Sequence, residues 1–465
     1  MAGITFTVGQ SMTRPGVYNR YVQVNTPLYA GVNDGIVACA FRAQWGPLGE
    51  VTEISTLRQA QAAFGGDGEI VRQALAGGAQ TVYAVRVGSG GGKAACVLRD
   101  AQGAAAVNVE ARYAGARPLS YELRSAGEAR QFVLSEAGRV LESISFASGG
   151  DEAAALAQAG AQSQYLTFEP ASDRPAGQAL ALMTETAMSA GSDPETGADE
   201  YAEAFAALTP YAWNCLCADT DEVAVHAALK AYMAEAAREG HLGFAVLGEG
   251  VGVPLRTRME HARAFNDYRV VYVGGGWHDS TGALVDGWRA AARVAGMIAC
   301  VPASRSITHR TIDGAVRCAE TLTSSQYVDC TQAGMLTFSA SPTAQVWVEN
   351  AITALSAPGG EDDRGWMKIK RARIRFELMD RANATVSPMV GNVANDPDGR
   401  AAVIQALQGL LRAMTAEGKL MAGASVYEDP DMPPAGDSAG FVIEANDVDA
   451  LEKVYFTYRF SFAQA

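Results

Sequence analysis

The chain has 465 residues, 48% of them hydrophobic and 19% charged, with 37 Lys and Arg against 51 Asp and Glu for a net charge of −14. That much apolar material excludes a disordered chain and predicts two to four compact domains of roughly 100–200 residues each. The acidic balance argues against nucleic acid, whose phosphates reward a concentrated basic surface, and no run approaches the roughly 18 apolar residues of a membrane helix. The first residues carry no export signal. Seven scattered cysteines (Cys39, Cys96, Cys215, Cys217, Cys300, Cys318, Cys330) therefore read as reduced core thiols. The expectation is a chain made and kept in the cytosol, without membrane insertion.

In chain order, residues 1–30 read as an N-terminal arm. Its β-leaning residues Val17, Tyr18, Tyr21, Val22 and Val24 lie between Pro15 and Pro27 with no partner hairpin beside them. Residues 31–93 open a core in a β-α-β pattern, with an apolar strand at 36–41, a helix capped by Ser55 or Thr56, and a strand at 82–87. A glycine joint at 88–92 leads to a small inserted β-rich module, residues 94–170, with short strands at 96–99, 107–113, 119–124, 131–135 and 140–146. Its clearest hairpin turns through Glu136-Ala137-Gly138.

Residues 171–341 return to alternating helix and strand. Helices are expected at 201–208, 222–239, 255–265 and 282–299, and strands at 211–217, 242–247 and 270–273, which favours a parallel sheet. Residues 342–449 form a C-terminal module with an amphipathic helix at 400–417, where Val403, Ile404, Leu407, Leu410, Leu411 and Met414 make one stripe ended by Gly418. Residues 450–465 are a final strand. The fold class is α/β and α+β, multidomain, with a central α/β core, an inserted β-rich module and extended N- and C-terminal arms.

The final strand carries the strongest pattern. Val454, Phe456, Tyr458, Phe460 and Phe462 alternate onto one face, with Lys453, Thr457, Arg459 and Ser461 on the other. Burying a large apolar side chain contributes about 1.5–3 kcal/mol, so a sheet must receive five of them or the strand becomes an aggregation site. It either closes the chain's own last sheet or is donated to a neighbouring copy.

Before it, residues 420–452 hold no Lys or Arg but eight acids: Glu428, Asp429, Asp431, Asp437, Glu444, Asp447, Asp449 and Glu452. With Pro430, Pro433 and Pro434 they read as an extended acidic linker. Residues 364–375 hold six basic residues, Arg364, Lys368, Lys370, Arg371, Arg373 and Arg375, and no acid. Such a run is usually a solvated face. Opposite blocks in one chain also suit a lattice of copies, because charge complementarity sets register.

Several segments together resemble contractile tail sheath proteins, from phage tails or headless bacteriocins. They are Arg14-Pro15-Gly16-Val17-Tyr18, Trp45-Gly46-Pro47, Ala295-Gly296-Met297-Ile298-Ala299 ahead of Ser306-Ile307-Thr308, Val346-Trp347-Val348-Glu349-Asn350, Trp366-Met367-Lys368-Ile369-Lys370-Arg371-Ala372-Arg373, Asp380-Arg381, and Gly391-Asn392-Val393-Ala394-Asn395-Asp396. The resemblance spans most of the chain. It implies a structural subunit that polymerises around a tail tube and contracts to drive the tube through a target envelope. The implied partners are other copies of the chain, the tube protein, and baseplate and terminator proteins. The implied place is the tail of a virion or tail-like particle assembled in host cytoplasm. It further implies that strand 454–462 is donated to a neighbour and meets an arm near 16–24. Lys368, Lys370, Arg371, Arg373 and Arg375 would contact an acidic tube surface or the acidic segment 428–449 of a neighbour, which includes Glu428, Asp429, Asp431, Asp447 and Asp449.

Two alternatives differ in class: a non-contractile shell or filament protein, and an α/β enzyme with a glycine-rich ligand loop. The loops Gly248-Glu249-Gly250-Val251-Gly252 and Gly274-Gly275-Gly276 follow expected strands, yet neither completes a phosphate-binding motif. Cys215 and Cys217 lack a second closely spaced Cys/His pair for metal. His278-Asp279 has no nucleophile placed beside it by sequence, and no G-x-S-x-G elbow occurs. The reading is no enzyme, no metal and no cofactor.

Overall fold

A computed structural model describes residues 34–66, 68–174, 177–359 and 363–460 and divides the chain into two units. Among the described residues, the first takes in 34–39, 69–83 and 208–460, the second 40–68 and 84–207.

In the first unit the sheet strands lie in the order Met335–Leu336, Val270–Val273, Phe244–Gly248, Cys215–Ala218, then the opening residues of Ile36–Phe41 and of Thr81–Arg86. The first four pair in parallel. Cys215–Ala218, Phe244–Gly248 and Val270–Val273 are buried along their whole length. That is why they read as unbroken apolar runs and not as alternation. Helices Val223–Arg238, Leu255–Phe265 and Gly287–Cys300 supply the crossovers.

Gly287–Cys300 packs on Glu69–Gly77 at a very close crossing. A Cβ on Gly296 would sit 2.1 Å from the Ala74 carbonyl oxygen, and one on Gly77 2.2 Å from that of Arg293. No other residue fits either position. The helix expected at 282–299 begins only at Gly287, because Leu284–Val285 is a strand paired with Trp277–Asp279.

Further along, helices Ile369–Val386 and Pro397–Ala416 enclose a core of Ala303, Ile374, Val403, Leu407, Leu410, Leu411, Met414, Leu420 and Val426. Asp396 caps the second helix by accepting from the Gly399 N–H at 2.8 Å, with Pro397 at the first helical position. Glycine at position 418 (φ +72°) follows its end. Residues 420–452 are not an extended linker. Ser425–Glu428 pairs antiparallel with Phe441–Glu444, and Val426, Phe441 and Ile443 pack on the same core. Alternating side chains around the Pro433-Pro434-Ala435-Gly436 turn region overcome the charge.

The second unit holds a four-stranded antiparallel sheet (Met183–Ala187, Leu119–Ala126, Ala129–Glu136, Arg139–Ala147) and a three-stranded one (Ala95–Arg99, Ala105–Ala111, Leu166–Pro170). The expected hairpin turn has positive φ at Ala137 (47°) and Gly138 (80°), the conformation a two-residue turn demands. The core reaches beyond 94–170. Trp45, Leu180 and Met188 belong to it, because strand Met183–Ala187 pairs with Leu119–Ala126.

Arg86 is fully buried in this unit, and its guanidinium donates to the carbonyls of Ala43 (2.8 Å), Gly46 (2.7 Å) and Ala114 (2.8 Å). One side chain thus fastens three loop carbonyls that no strand satisfies. Arg86→Met would leave them unpaired at about 1–3 kcal/mol each. We expect a loss of ~3 kcal/mol or more in urea unfolding, and a change below 1 kcal/mol would refute this role.

Candidate functional site

The 364–375 basic run forms a short 3₁₀ turn, Arg364–Met367, and the start of helix Ile369–Val386. At helical spacing, Lys368, Arg371 and Arg375 fall on one face. That face meets the segment 447–452 of the same chain. Lys368 Nζ donates to Asp449 Oδ2 and Glu452 Oε2, both at 2.8 Å. Arg371 grips Asp447 through Nε (2.5 Å) and Nη2 (3.0 Å), and Arg375 Nη2 reaches Asp447 Oδ1 at 3.1 Å. Arg375 also forks onto Asp363 at 3.0 Å and lies 4.6 Å from the Trp366 ring.

The remaining cations of the run are placed differently. Arg373 pairs with Asp34 at 2.8 Å and donates to the Val301 carbonyl. Lys370 is buried, and burial lowers its pKa. Of the five cations expected to meet a neighbour's acids or a tube, four are paired within the chain. The sequence conceals this because the hairpin at 425–444 brings Asp447 and Asp449 back to a helix some 75 residues earlier.

The other acids of the expected linker stay local. Glu428 accepts from Arg400 at 2.9 Å, and Asp429 accepts from the Asp431 N–H at 2.9 Å. Asp431 lies exposed in the same turn.

Sequence reasoning missed the third side of the site. Ser306 Oγ and Thr308 Oγ1 donate to Glu452 Oε1 at 3.3 and 2.9 Å. Backbone bonds Met421 N–H to Asn446 O (2.8 Å) and Val448 N–H to Lys419 O (2.9 Å) complete the anchor. A signal was available: cations at 368, 371 and 375 and acids at 447 and 449 each share one face of their own element.

Past this anchor the chain changes character. Residues 453–460 are exposed and form no strand among the described residues. Val454 is 57% exposed, Phe456 and Tyr458 75%, and Tyr455 and Phe460 87%. Ring centroids of Phe456 and Tyr458, and of Tyr458 and Phe460, lie 6.3 Å apart. That is the i, i+2 spacing of an extended chain. Phe462 and the arm residues Val17, Tyr18, Tyr21, Val22 and Val24 lie outside the described residues.

The glycines, thiols and turn acid that suggested other chemistry each have structural partners. A Cβ on Gly248 would lie 2.2 Å from the Gly287 carbonyl oxygen, and one on Gly274 2.0 Å from Met335 Sδ, so close packing accounts for these glycines. Cys215 and Cys217 are buried thiols, raised by desolvation in Cys215 and first by the bond to Cys39, 3.5 Å away, in Cys217. Asp279 closes its own turn on Thr281 and Ala283. Among the described residues no group of three or more His, Cys, Asp or Glu could hold a metal, and no helix is long and apolar enough to cross a membrane.

Residues 195–354 match the phage tail sheath protein central domain, and residues 35–87 match the tail sheath protein Gp18 domain III N-terminal region. The chain thus carries domains of the phage tail sheath protein family. Its fold is that of a sheath tail protein from Desulfitobacterium hafniense, with a TM-score of 0.72 at 19% identity over 92% of this chain and 100% of that one. A sheath tail protein from Listeria innocua scores 0.67 at 16% identity, over 89% and 94%. The helical sheath of the anti-feeding prophage in its contracted state scores 0.53 at 12%, over 98% and 99%. Among curated proteins none matches the sequence.

In this sheath subunit the motif residues prove to be braces. Thr308 and Ser306 hold Glu452. Asn395 Nδ2 donates to the Gly436 and Ser438 carbonyls at 3.0 Å, tying the hairpin turn to the Pro397–Ala416 helix. Arg381 pairs with Glu377 (3.1 Å) and Glu417 (2.9 Å), joining two helices.

Burial raises the Asp447 carboxyl, but the two guanidiniums outweigh it and hold its pKa below the ordinary value. An acid with a depressed folded pKa stabilises above its unfolded value, near 3.9, and that contribution fades as pH falls through the folded pKa. Asp447→Asn should therefore cost about 2 kcal/mol at pH 7, a buried pair broken on one side and discounted for partial exposure of the arginines. The difference from wild type should shrink below pH 4, measured by urea unfolding at both pH values. A penalty that persists undiminished at pH 3 would disprove the ionic origin.

Proposed function

We propose that this sheath subunit joins its neighbours by donating the ribbon 454–462, and that the ion-paired anchor at 447–452 is the fixed root from which the ribbon reaches another copy. The observation that carries this reading is the run of exposed apolar and aromatic residues that begins at Val454, two residues after Glu452. Left in water, these side chains forgo about 1.5–3 kcal/mol each. A strand-deep contact on another copy would recover that energy with main-chain hydrogen bonds.

An acceptor is at hand in chemical kind. The Ser425–Glu428 and Phe441–Glu444 pair is a two-stranded sheet, and each strand has an outer edge unpaired among the described residues. Isolated hairpins are marginal in water, and added strands stabilise them. The arm at 16–24 is the other strand in this reading.

The lattice so linked surrounds a tail tube, ends at baseplate and terminator proteins, and is assembled in the host cytoplasm before it becomes part of the tail of a virion or tail-like particle. The chain acts as a structural element and not as an enzyme, its work being the change from an extended packing to a shorter one. With Lys368, Arg371, Arg373 and Arg375 engaged at home, contact with the tube falls to other surfaces of the subunit.

Removing 454–465 should leave a folded monomer and abolish tubes or ring stacks in electron micrographs of the purified protein. Sedimentation should show one small species. Assemblies of unchanged form would show that the ribbon is not the link.

A further inference from the structure

A second feature lies away from the arm, in the α/β core. Between helices Val223–Arg238 and Leu255–Phe265 a hollow of about 270 Å³ opens to the surface. Its walls are apolar, formed by Val223, Ala227, Ala264 and Phe265. Lys230, at its edge, is engaged with the Phe265 carbonyl at 2.6 Å. His226, held on the Thr220 carbonyl at 3.2 Å, His261 and Tyr272 also line it, and at the floor stands Glu249, which is buried.

Glu249 immediately follows strand Phe244–Gly248, at the carboxyl end of the parallel sheet. Its Oε2 accepts from the Tyr272 hydroxyl at 2.5 Å, and its Oε1 from His261 Nδ1 at 2.9 Å. A carboxylate offers about four acceptor positions, so two donors leave room for another. The loop that carries it is braced by neighbouring acids: Asp221 accepts from the Gly250 N–H at 3.2 Å, and Asp286 from the Val251 N–H at 2.8 Å. The hollow is thus formed in advance, with an apolar wall and one oriented acceptor, the usual make-up of a small-molecule site.

We propose that this hollow binds a small aromatic molecule carrying a single N–H or O–H donor, its ring against Phe265 and its donor on Glu249. An apolar cavity of about 150 Å³ accommodates benzene, so this larger one admits a fused ring pair. The Gly248-Glu249-Gly250 turn then has a purpose beyond close packing. It aims a carboxylate into an apolar space.

The test uses the full chain with indole as probe and benzofuran as its donor-free analogue. Indole should give a saturable calorimetric signal with Kd at or below about 1 mM, the range open to nine non-hydrogen atoms, and a matching concentration-dependent rise in Tm. Benzofuran should bind at least tenfold more weakly. Ala227→Trp, at an exposed helix position on the wall, should fill the hollow and abolish the indole signal while leaving the Tm without probe unchanged. Ala264→Trp, also exposed, serves as a second blocking variant if the first shifts the Tm. The proposal is overturned if indole gives no saturable signal, if benzofuran matches it, or if binding survives in a folded blocking variant.

Discussion

The carboxylate of Asp447 between Arg371 and Arg375 is the contact on which the C-terminal architecture turns. It is one carboxylate with two guanidiniums, mostly withdrawn from water, so removal of the carboxylate leaves Arg371 without the acid it grips in a partly desolvated place. The pairs of Lys368 with Asp449 and Glu452, and the hydroxyls of Ser306 and Thr308, extend the same anchor in the direction of the chain. Upstream of it lies a hairpin packed on a helix; downstream lies an unburied aromatic ribbon. The anchor separates a part of the chain that packs on its own core from a part whose aromatic side chains stand exposed.

That division has a physical logic for a sheath. A donated strand holds a neighbour only if its own root does not pull free, so the root must be stronger than the fluctuations of the segment it holds. Ionic bonds to a rigid helix suit this, because the face of Ile369–Val386 is itself fixed by Ile374 in the core and by Trp366 against Tyr268, 4.3 Å between centroids. The small-residue crossing of Gly77 and Gly296 and the three-carbonyl grip of Arg86 do comparable service, each within its own unit. Sheath motifs that look like signatures in the sequence turn out to be such joints.

Where sequence and structure part company, the cause is a contact between elements that no single element's pattern shows. The helix expected at 282–299 loses its first turn because Leu284 and Val285 find strand partners at Trp277 and His278. The acidic stretch at 420–452, with its prolines and no basic residue, looked extended, yet Val426 and Ile443 alternate correctly for a hairpin, and the helix stripe beside them supplies the apolar surface. Charge counts do not show where the compensating charges stand. Glu249, inconspicuous in a glycine-rich turn, becomes notable only when Tyr272 and His261 are seen to converge on it.

Local pattern alone was enough for the pieces with a short-range period: the buried strands as apolar runs, the Pro397–Ala416 helix by its stripe and cap, the Ala137-Gly138 turn, and the alternation of residues 454–460. The sequence also carried the family, through motifs spread along most of the chain. Packing in three dimensions set the pairing of Lys368, Arg371 and Arg375 with Asp447, Asp449 and Glu452, the burial of Lys370, and the hollow over Glu249. Periodicity is a property of neighbours in the chain and is written there, whereas an ion pair across some 75 residues depends on how intervening elements pack, which no local pattern encodes.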